Sequence, residues 1–322
     1  MPKLPPLPFF ILHGHEGNIT ALEFNNETDD TIDIKPTLLS GSDAGEIFIW
    51  NLQSFRTLFK FISPMKKPIM FLKYYKSKLF IQSKDGVINV WSYDNFNWTV
   101  IRNFESDSVA FCASVFWLSD NKAFITLYNQ DEHLLDIYNL EEERKSKQLK
   151  MDASKGLCMC LKVIKLHGKQ FFLAGFENGA IELRDGEDGN EVHSMNFHEG
   201  LVTCLDYDLE LKNRGISGGA DKFLQTWSIS DNFQIENVCQ LALTEPGVSD
   251  VKIRHDGKIV IAAGWDFSIK IFSWKTLKPL AILNFHEQTI HSLACSPFPI
   301  DKKNSVFASG SKDKNIALWT IY

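Results

Sequence analysis

The stretch Phe307-Ala308-Ser309-Gly310-Ser311-Lys312-Asp313-Lys314-Asn315-Ile316-Ala317-Leu318-Trp319 contains the pattern on which the whole chain is built. Small and apolar residues run into a polar tip, and a second run, Ile316-Ala317-Leu318-Trp319, ends on an aromatic. Alternation by two on both sides of a Gly/Ser/Asp/Asn cluster reads as strand, turn, strand. The second run has six counterparts: Glu46-Ile47-Phe48-Ile49-Trp50, Val87-Ile88-Asn89-Val90-Trp91, Leu134-Leu135-Asp136-Ile137-Tyr138, Ala180-Ile181-Glu182-Leu183-Arg184, Phe223-Leu224-Gln225-Thr226-Trp227 and Ser268-Ile269-Lys270-Ile271-Phe272. Their last positions lie 41, 47, 46, 43, 45 and 47 residues apart, a spacing too regular for chance.

A second column fixes the register. Upstream of each terminal position lies an apolar triple with offsets of three and two: Ile19-Leu22-Phe24, Ile69-Leu72-Tyr74, Cys112-Val115-Trp117, Cys158-Leu161-Val163, Val202-Leu205-Tyr207, Val248-Val251-Ile253 and Ile290-Leu293-Cys295. A strand alternates by two, so the offset of three predicts a bulge that returns the next side chain to the inner face. Between the columns runs a strand ending in a turn, as in Leu38-Leu39-Ser40-Gly41-Ser42-Asp43 and Ile216-Ser217-Gly218-Gly219-Ala220-Asp221, and a further strand follows the aromatic, as in Pro279-Leu280-Ala281-Ile282-Leu283. Four short antiparallel strands repeated seven times predict an all-β, seven-bladed β-propeller, with residues 1–322 as a single domain. Pro8-Phe9-Phe10-Ile11-Leu12 precedes the first repeat, whereas the last has only three strands of its own. Segment 8–12 is therefore expected to complete the last blade and close the ring.

Composition agrees with one well-filled fold: of 322 residues 44% are apolar and 23% charged, with 25 Phe, and Gly and Pro number only 19 and 11. The net charge of −6 argues against a broad basic face for direct nucleic-acid binding. No run is long and apolar enough for a membrane span, and Met1–His15 lacks the length of a signal peptide. The six cysteines show no zinc spacing and imply no disulfide framework, which favours reduced thiols in the cytosol or nucleus.

Several chemical motifs match on paper. Gly215-Ile216-Ser217-Gly218-Gly219 fits a nucleophile elbow, but no helix follows it, so Ser217 is read as structural. His13-Gly14-His15 and Cys158-Met159-Cys160 are read as turn and core rather than metal pairs, and Asp185–Glu191 as a hairpin rather than a calcium loop. No metal, cofactor or catalytic residue is expected. Asn25–Thr37 (with Glu27, Asp29, Asp30 and Asp33) and the charge run Glu141–Lys150 read as inserted solvated loops. Seven residues before each terminal position stand the turn tips Asp43, Lys84, Asp131, Glu177, Ala220, Trp265 and Lys312. Apart from Ala220 they make up the candidate partner-binding face. Trp265 is the odd one among them, either packed beneath a neighbouring loop or exposed as a binding anchor.

The chain resembles the WD-repeat family. Gly14-His15 opens the first repeat, and Trp50-Asn51, Trp91-Ser92, Trp227-Ser228 and Trp319-Thr320 stand at the family dipeptide with its second residue changed. The resemblance implies a buried polar chain of His, Ser or Thr, Asp and Trp. His198-Ser217-Asp221-Trp227 and His286-Ser309-Asp313-Trp319 are complete sets. His15-Ser40-Trp50 lacks its Asp, since Ala44 holds that place and Asp43 falls one residue early. Repeats two, three, four and six lack at least two members, so apolar packing is expected to substitute there.

A narrower resemblance rests on both ends of the chain, above all Gly264-Trp265-Asp266-x-x-Ile269-Lys270-Ile271-Phe272-x-Trp274-Lys275-x-Leu277-Lys278-Pro279-Leu280-Ala281-Ile282-Leu283, then Phe285-His286 and Gly310-Ser311-Lys312-Asp313. These look like the WD-repeat subunit of the fungal ASTRA assembly, whose animal relatives are the G-protein-β-subunit-like proteins. The resemblance implies a non-enzymatic scaffold in the nucleus, with the cytoplasm also open, connected with chromatin remodelling. Its implied partners are Tel2–Tti-type cochaperone proteins, an AAA+ ATPase and large subunits related to phosphatidylinositol-3-kinases, in the maturation of kinases of that class. Two other readings stay open: a ubiquitin-ligase substrate receptor or other interaction platform, and an enzyme using Asp43, Asp131 and Glu177.

Overall fold

The structure, a computed structural model, describes residues 5–25, 27, 37–94, 97–106, 108–208, 213–300 and 305–320. Most of the predicted loop 25–37 lies outside the described residues. Among the described residues twenty-eight strands form seven four-stranded sheets, and one short 3-10 helix spans Ala153–Lys155.

β1 (Phe10–Leu12) is followed by the first sheet, β2 (Ile19–Asn25), β3 (Thr37–Ser42), β4 (Glu46–Asn51) and β5 (Arg56–Ile62). The second comprises β6 (Ile69–Tyr75), β7 (Lys78–Ser83), β8 (Val87–Asp94) and β9 (Asn97–Glu105). The third comprises β10 (Phe116–Ser119), β11 (Lys122–Asn129), β12 (Leu134–Asn139) and β13 (Arg144–Lys150). The fourth has β14 (Cys158–Leu166), β15 (Lys169–Phe176), β16 (Ala180–Asp185) and β17 (Glu191–Asn196), and the fifth β18 (Val202–Asp208), β19 (Arg214–Gly219), β20 (Phe223–Ile229) and β21 (Ile235–Ala242). The sixth has β22 (Val248–Ile253), β23 (Ile259–Gly264), β24 (Ile269–Ser273) and β25 (Pro279–Leu283). In the seventh, β26 (Ile290–Cys295), β27 (Val306–Ser311) and β28 (Ile316–Thr320) are joined by β1, with Phe10 opposite Leu318 and Leu12 opposite Ile316. This is the all-β, seven-bladed propeller class. The chain forms two compact units, residues 1–104 with 254–322, and residues 105–253.

The apolar columns become the cores between sheets. In the first unit Ile19, Leu22, Phe24, Leu38, Trp50 and Leu12 share a cluster with Ala308, Ile316 and Leu318. In the second, Val202, Leu205, Tyr207 and Trp227 pack with Ile164, Leu173 and Leu183. The offset of three is a bulge: the ladder skips one residue between Ile19 and Ala21, Ile69 and Phe71, Cys158 and Cys160, Val202 and Cys204, and Ile290 and Ser292. In two of these the skipped residue is a threonine that ties one sheet to the next. The Thr20 hydroxyl donates to the Ile69 carbonyl at 2.6 Å, and that of Thr203 to the Val248 carbonyl.

The neighbouring sheet comes so close that a Cβ on Gly41 would lie 2.5 Å from Ile69, and one on Gly218 2.8 Å from Val248. Glycine in the second strand is therefore a packing requirement.

Two sequence expectations need correction. The first strand of the third sheet starts at Phe116, not at Cys112. Val115 donates its N–H to the Thr126 hydroxyl at 2.9 Å while its carbonyl accepts from the Thr126 N–H at 3.1 Å, so a side chain takes one of the two bonds a ladder pair would make there. The charge run Glu141–Lys150 is not an inserted loop, because residues 144–150 form β13, the outer strand of the third sheet. Its exposed face accepts Arg144, Lys145 and Lys150 while Leu149 faces the core.

Candidate interaction surface and the polar chains beneath it

The complete polar sets form directional relays. In the seventh sheet the Trp319 indole N–H donates to the Ser309 hydroxyl at 2.9 Å, Ser309 lies 2.8 Å from His286 Nε2, and His286 Nδ1 lies 2.8 Å from Asp313. In the fifth, Trp227 reaches Ser217 at 3.4 Å, and His198 lies 2.9 Å from both Ser217 and Asp221. Indole only donates and carboxylate only accepts, so Ser accepts from Trp and Nδ1–H donates to the carboxylate, which leaves Nε2 of a neutral imidazole to accept the Ser hydroxyl. Burial lowers the His198 pKa despite the neighbouring Asp221.

The elbow-like pentapeptide is accounted for here. Ser217 is fully buried in this relay, and a Cβ on Gly215 would lie 2.2 Å from the Trp227 ring.

The first sheet contains a member that sequence reading missed. His15 Nε2 lies 2.7 Å from the Ser40 hydroxyl, which accepts from Trp50 at 2.8 Å, and Nδ1 faces Glu46 at 3.3 Å. Glu46 supplies the absent carboxylate from the far side of the turn, and the same oxygen accepts from the amides of Glu16 at 2.9 Å and Gly17 at 3.0 Å. Burial holds His15 down to about 4, although Glu46 pulls the other way. Burial raises Glu46, but its amide bonds, His15 and Ser42 together keep it below the usual carboxylate range. Asp43, one residue early, instead accepts from the Asn18 amide N–H at 2.8 Å.

Apolar substitution holds only in part. In the second sheet it does: Trp91 packs against Phe61 at 4.9 Å, and its buried N–H has no partner among the described residues. In the fourth sheet Arg184 occupies the aromatic place and is neutralised instead. Its guanidinium pairs with buried Glu182 and donates to the Lys150 carbonyl at 2.9 Å, and Lys155 bonds Glu182 and, at 2.6 Å, Glu191. In the sixth, the buried Lys270 ammonium donates to Asp266 at 2.6 Å and to Ser268 at 2.7 Å. A buried cation tolerates no apolar surroundings unless it is paired, so these repeats carry ion networks where hydrocarbon was expected.

The turn tips differ in what they leave free. In the first unit Asp43 is occupied, Lys84 is half-buried and Lys312 is exposed; in the second, Asp131 is exposed and Glu177 accepts from the Leu157 amide at 3.3 Å. Trp265 is 41% exposed, not packed beneath a loop, and Phe267, two residues on, is 43% exposed at φ +68. Asp266 braces this turn by accepting from both the amide and the hydroxyl of Ser268. An aromatic held in left-handed backbone and left in solvent gains nothing from core packing, which makes the turn a candidate anchor. Among the described residues no three His, Cys, Asp or Glu side chains are grouped to hold a metal.

The WD domain, G-beta repeat family matches residues 7–51, 237–273 and 277–320. Guanine nucleotide-binding protein subunit beta-like protein 1 of Mus musculus is 31% identical, covering 99% of this chain and 97% of its own length. The chain belongs to this WD-repeat family. Further relatives are proteins named ASTRA-associated protein 1. That of Schizosaccharomyces pombe is 24% identical, over 98% of this chain and 99% of its own length, and that of Schizosaccharomyces japonicus is 22% identical over the same shares. The matched WD stretches include the relay residues of the first and seventh sheets, two of the three relays.

Proposed function

We propose that the chain is a non-catalytic scaffold subunit of an ASTRA-type assembly. In this reading it acts in the nucleus with Tel2–Tti-type cochaperone proteins, an AAA+ ATPase and large phosphatidylinositol-3-kinase-related subunits, in kinase maturation and chromatin regulation. The observation that carries this reading is the near full-length similarity to two proteins named ASTRA-associated protein 1. The chemistry of the site supports it, because Ser217, His198 and Asp221, the residues that could pass for a catalytic group, are spent on one another beneath the surface. The exposed Trp265 turn, with Lys312, Lys84 and Asp43 at the other tips of the same unit, is the proposed partner-binding side.

Purification of the tagged chain from native extract, followed by mass spectrometry, tests the assignment. Recovery of the cochaperone and large kinase-related subunits is expected. Recovery of ubiquitin-ligase subunits in their place overturns it.

A further inference from the structure

The outer strand of each sheet has one backbone edge with no strand on it among the described residues, and proteins guard such edges with charge. β5 carries Arg56 and Lys60, β9 Arg102 and Glu105, β13 Arg144, Lys145, Lys147 and Lys150, β17 Glu191, and β21 Glu236. Two outer strands carry none. β1 is three residues long, and its Phe10 stacks on Phe55 at 4.4 Å. β25, Pro279-Leu280-Ala281-Ile282-Leu283, has no such cover among the described residues.

Leu283 and Ala281 turn inward to a core cluster, which leaves Leu280 43% and Ile282 50% exposed, side by side on the outer face. The two ends of this strip differ in chemistry. Opposite Leu283 stands Ile269, so that end meets the turn displaying Phe267 and Trp265. Before Pro279 stand Lys275 and Lys278, both exposed, whose ammonium groups have no partner among the described residues.

We propose that β25 docks an extended segment of a partner protein. That segment has acidic residues at the Lys275–Lys278 end, apolar side chains at alternating positions over Leu280 and Ile282, and a bulky apolar residue at the Phe267 end. Pro279 offers no N–H, and Leu280 is the extra residue of a bulge, so main-chain pairing is confined to Ala281–Leu283 and the side chains set the specificity. Opposite charge at one end fixes the direction of the segment. The proposal rests on the reading of the chain as a protein-binding platform, but not on membership of any one assembly.

The test uses the purified full chain and a synthetic peptide of paired aspartates followed by alternating leucine and threonine and a terminal phenylalanine, with binding read by fluorescence anisotropy. A second peptide carries lysines in place of the aspartates. The aspartate peptide is expected to bind more tightly than its lysine twin, and to bind more weakly as salt rises. Ile282→Lys, and the pair Lys275→Glu with Lys278→Glu, are each expected to weaken it on the order of tenfold at an unchanged melting temperature. Ile282→Thr, which keeps strand propensity, serves if the lysine variant folds poorly. Equal binding of the two peptides, or variants that bind like the parent, overturns the proposal. So does a dimer in sedimentation velocity that Ile282→Lys abolishes, since the edge then serves a second copy. Absence of ASTRA-type subunits from a native purification defeats the assembly assignment and leaves this peptide result untouched.

Discussion

A proton on His15 breaks the relay of the first sheet. The one proton of the neutral imidazole is the Nδ1–H committed to Glu46, so Nε2 accepts from the Ser40 hydroxyl, whose oxygen accepts from Trp50. The imidazole is held at about 4, below its ordinary 6.5, so the unfolded chain takes up the proton first. Its contribution is complete above pH 6.5 and is lost as pH falls toward about 4, on the order of 2 kcal/mol. Urea unfolding at pH 7 and pH 4 measures this loss, and His15→Gln is expected to reduce it. Glu46→Ala strands two amide donors and the imidazole, and is expected to cost about 2–4 kcal/mol in the same assay, with Glu46→Gln costing less than half as much. Ser217 and Asp221 were legible in the sequence because each stands as far before Trp227 as Ser309 and Asp313 stand before Trp319, and His198 because the resemblance to WD repeats implies a histidine in the turn before the first strand. Glu46 was not, since it reaches the histidine from another place in the turn. Arg184 and Lys270 were hidden for a different reason: Glu182 and Asp266 stand within the repeat, but the repeat pattern carries no signal that their carboxylates turn to these cations.

At the level of the strands, the close approach of adjacent sheets makes steric predictions. Gly218→Val places a branched side chain against Val248, where even a single Cβ sits at 2.8 Å. The expected destabilisation is about 1–3 kcal/mol, read from the denaturation midpoint. Thr203→Val keeps the volume but removes the hydroxyl that reaches the Val248 carbonyl, and is expected to cost about 1 kcal/mol. The offset of three in the first strand showed in the sequence that a bulge is present. It did not show what the bulge is for, because the partner of Thr203 lies 45 positions away. A second series of bulges, at Ile49/Trp50, Thr226/Trp227 and Ile271/Phe272, left no trace in the apolar pattern. The outer strand bends there after the buried aromatic, while its exposed residues follow no fixed alternation.

For the molecule as a whole, β1 contributes Leu12 to a core cluster and covers the edge of β28. Deleting residues 2–13 is expected to cost solubility or the cooperativity of unfolding, measured by calorimetry, and a variant that melts like the parent contradicts the structural role of that strand. The repeat count and the register of the columns were legible because all seven units repeat one pattern; the charges that replace it in the divergent units were not. The buried relays hold the sheets, and the exposed Trp265 turn is the proposed place of partner contact, so the two roles fall on separate residues. Comparing Trp265→Ala with Trp227→Ala, by melting temperature and by partner recovery from native extract, tests this separation most directly. The account predicts that Trp265→Ala loses partners while melting within a few degrees of the parent, and that Trp227→Ala melts well below it. If Trp265→Ala melts as far below the parent as Trp227→Ala, or keeps its partners, the account is contradicted.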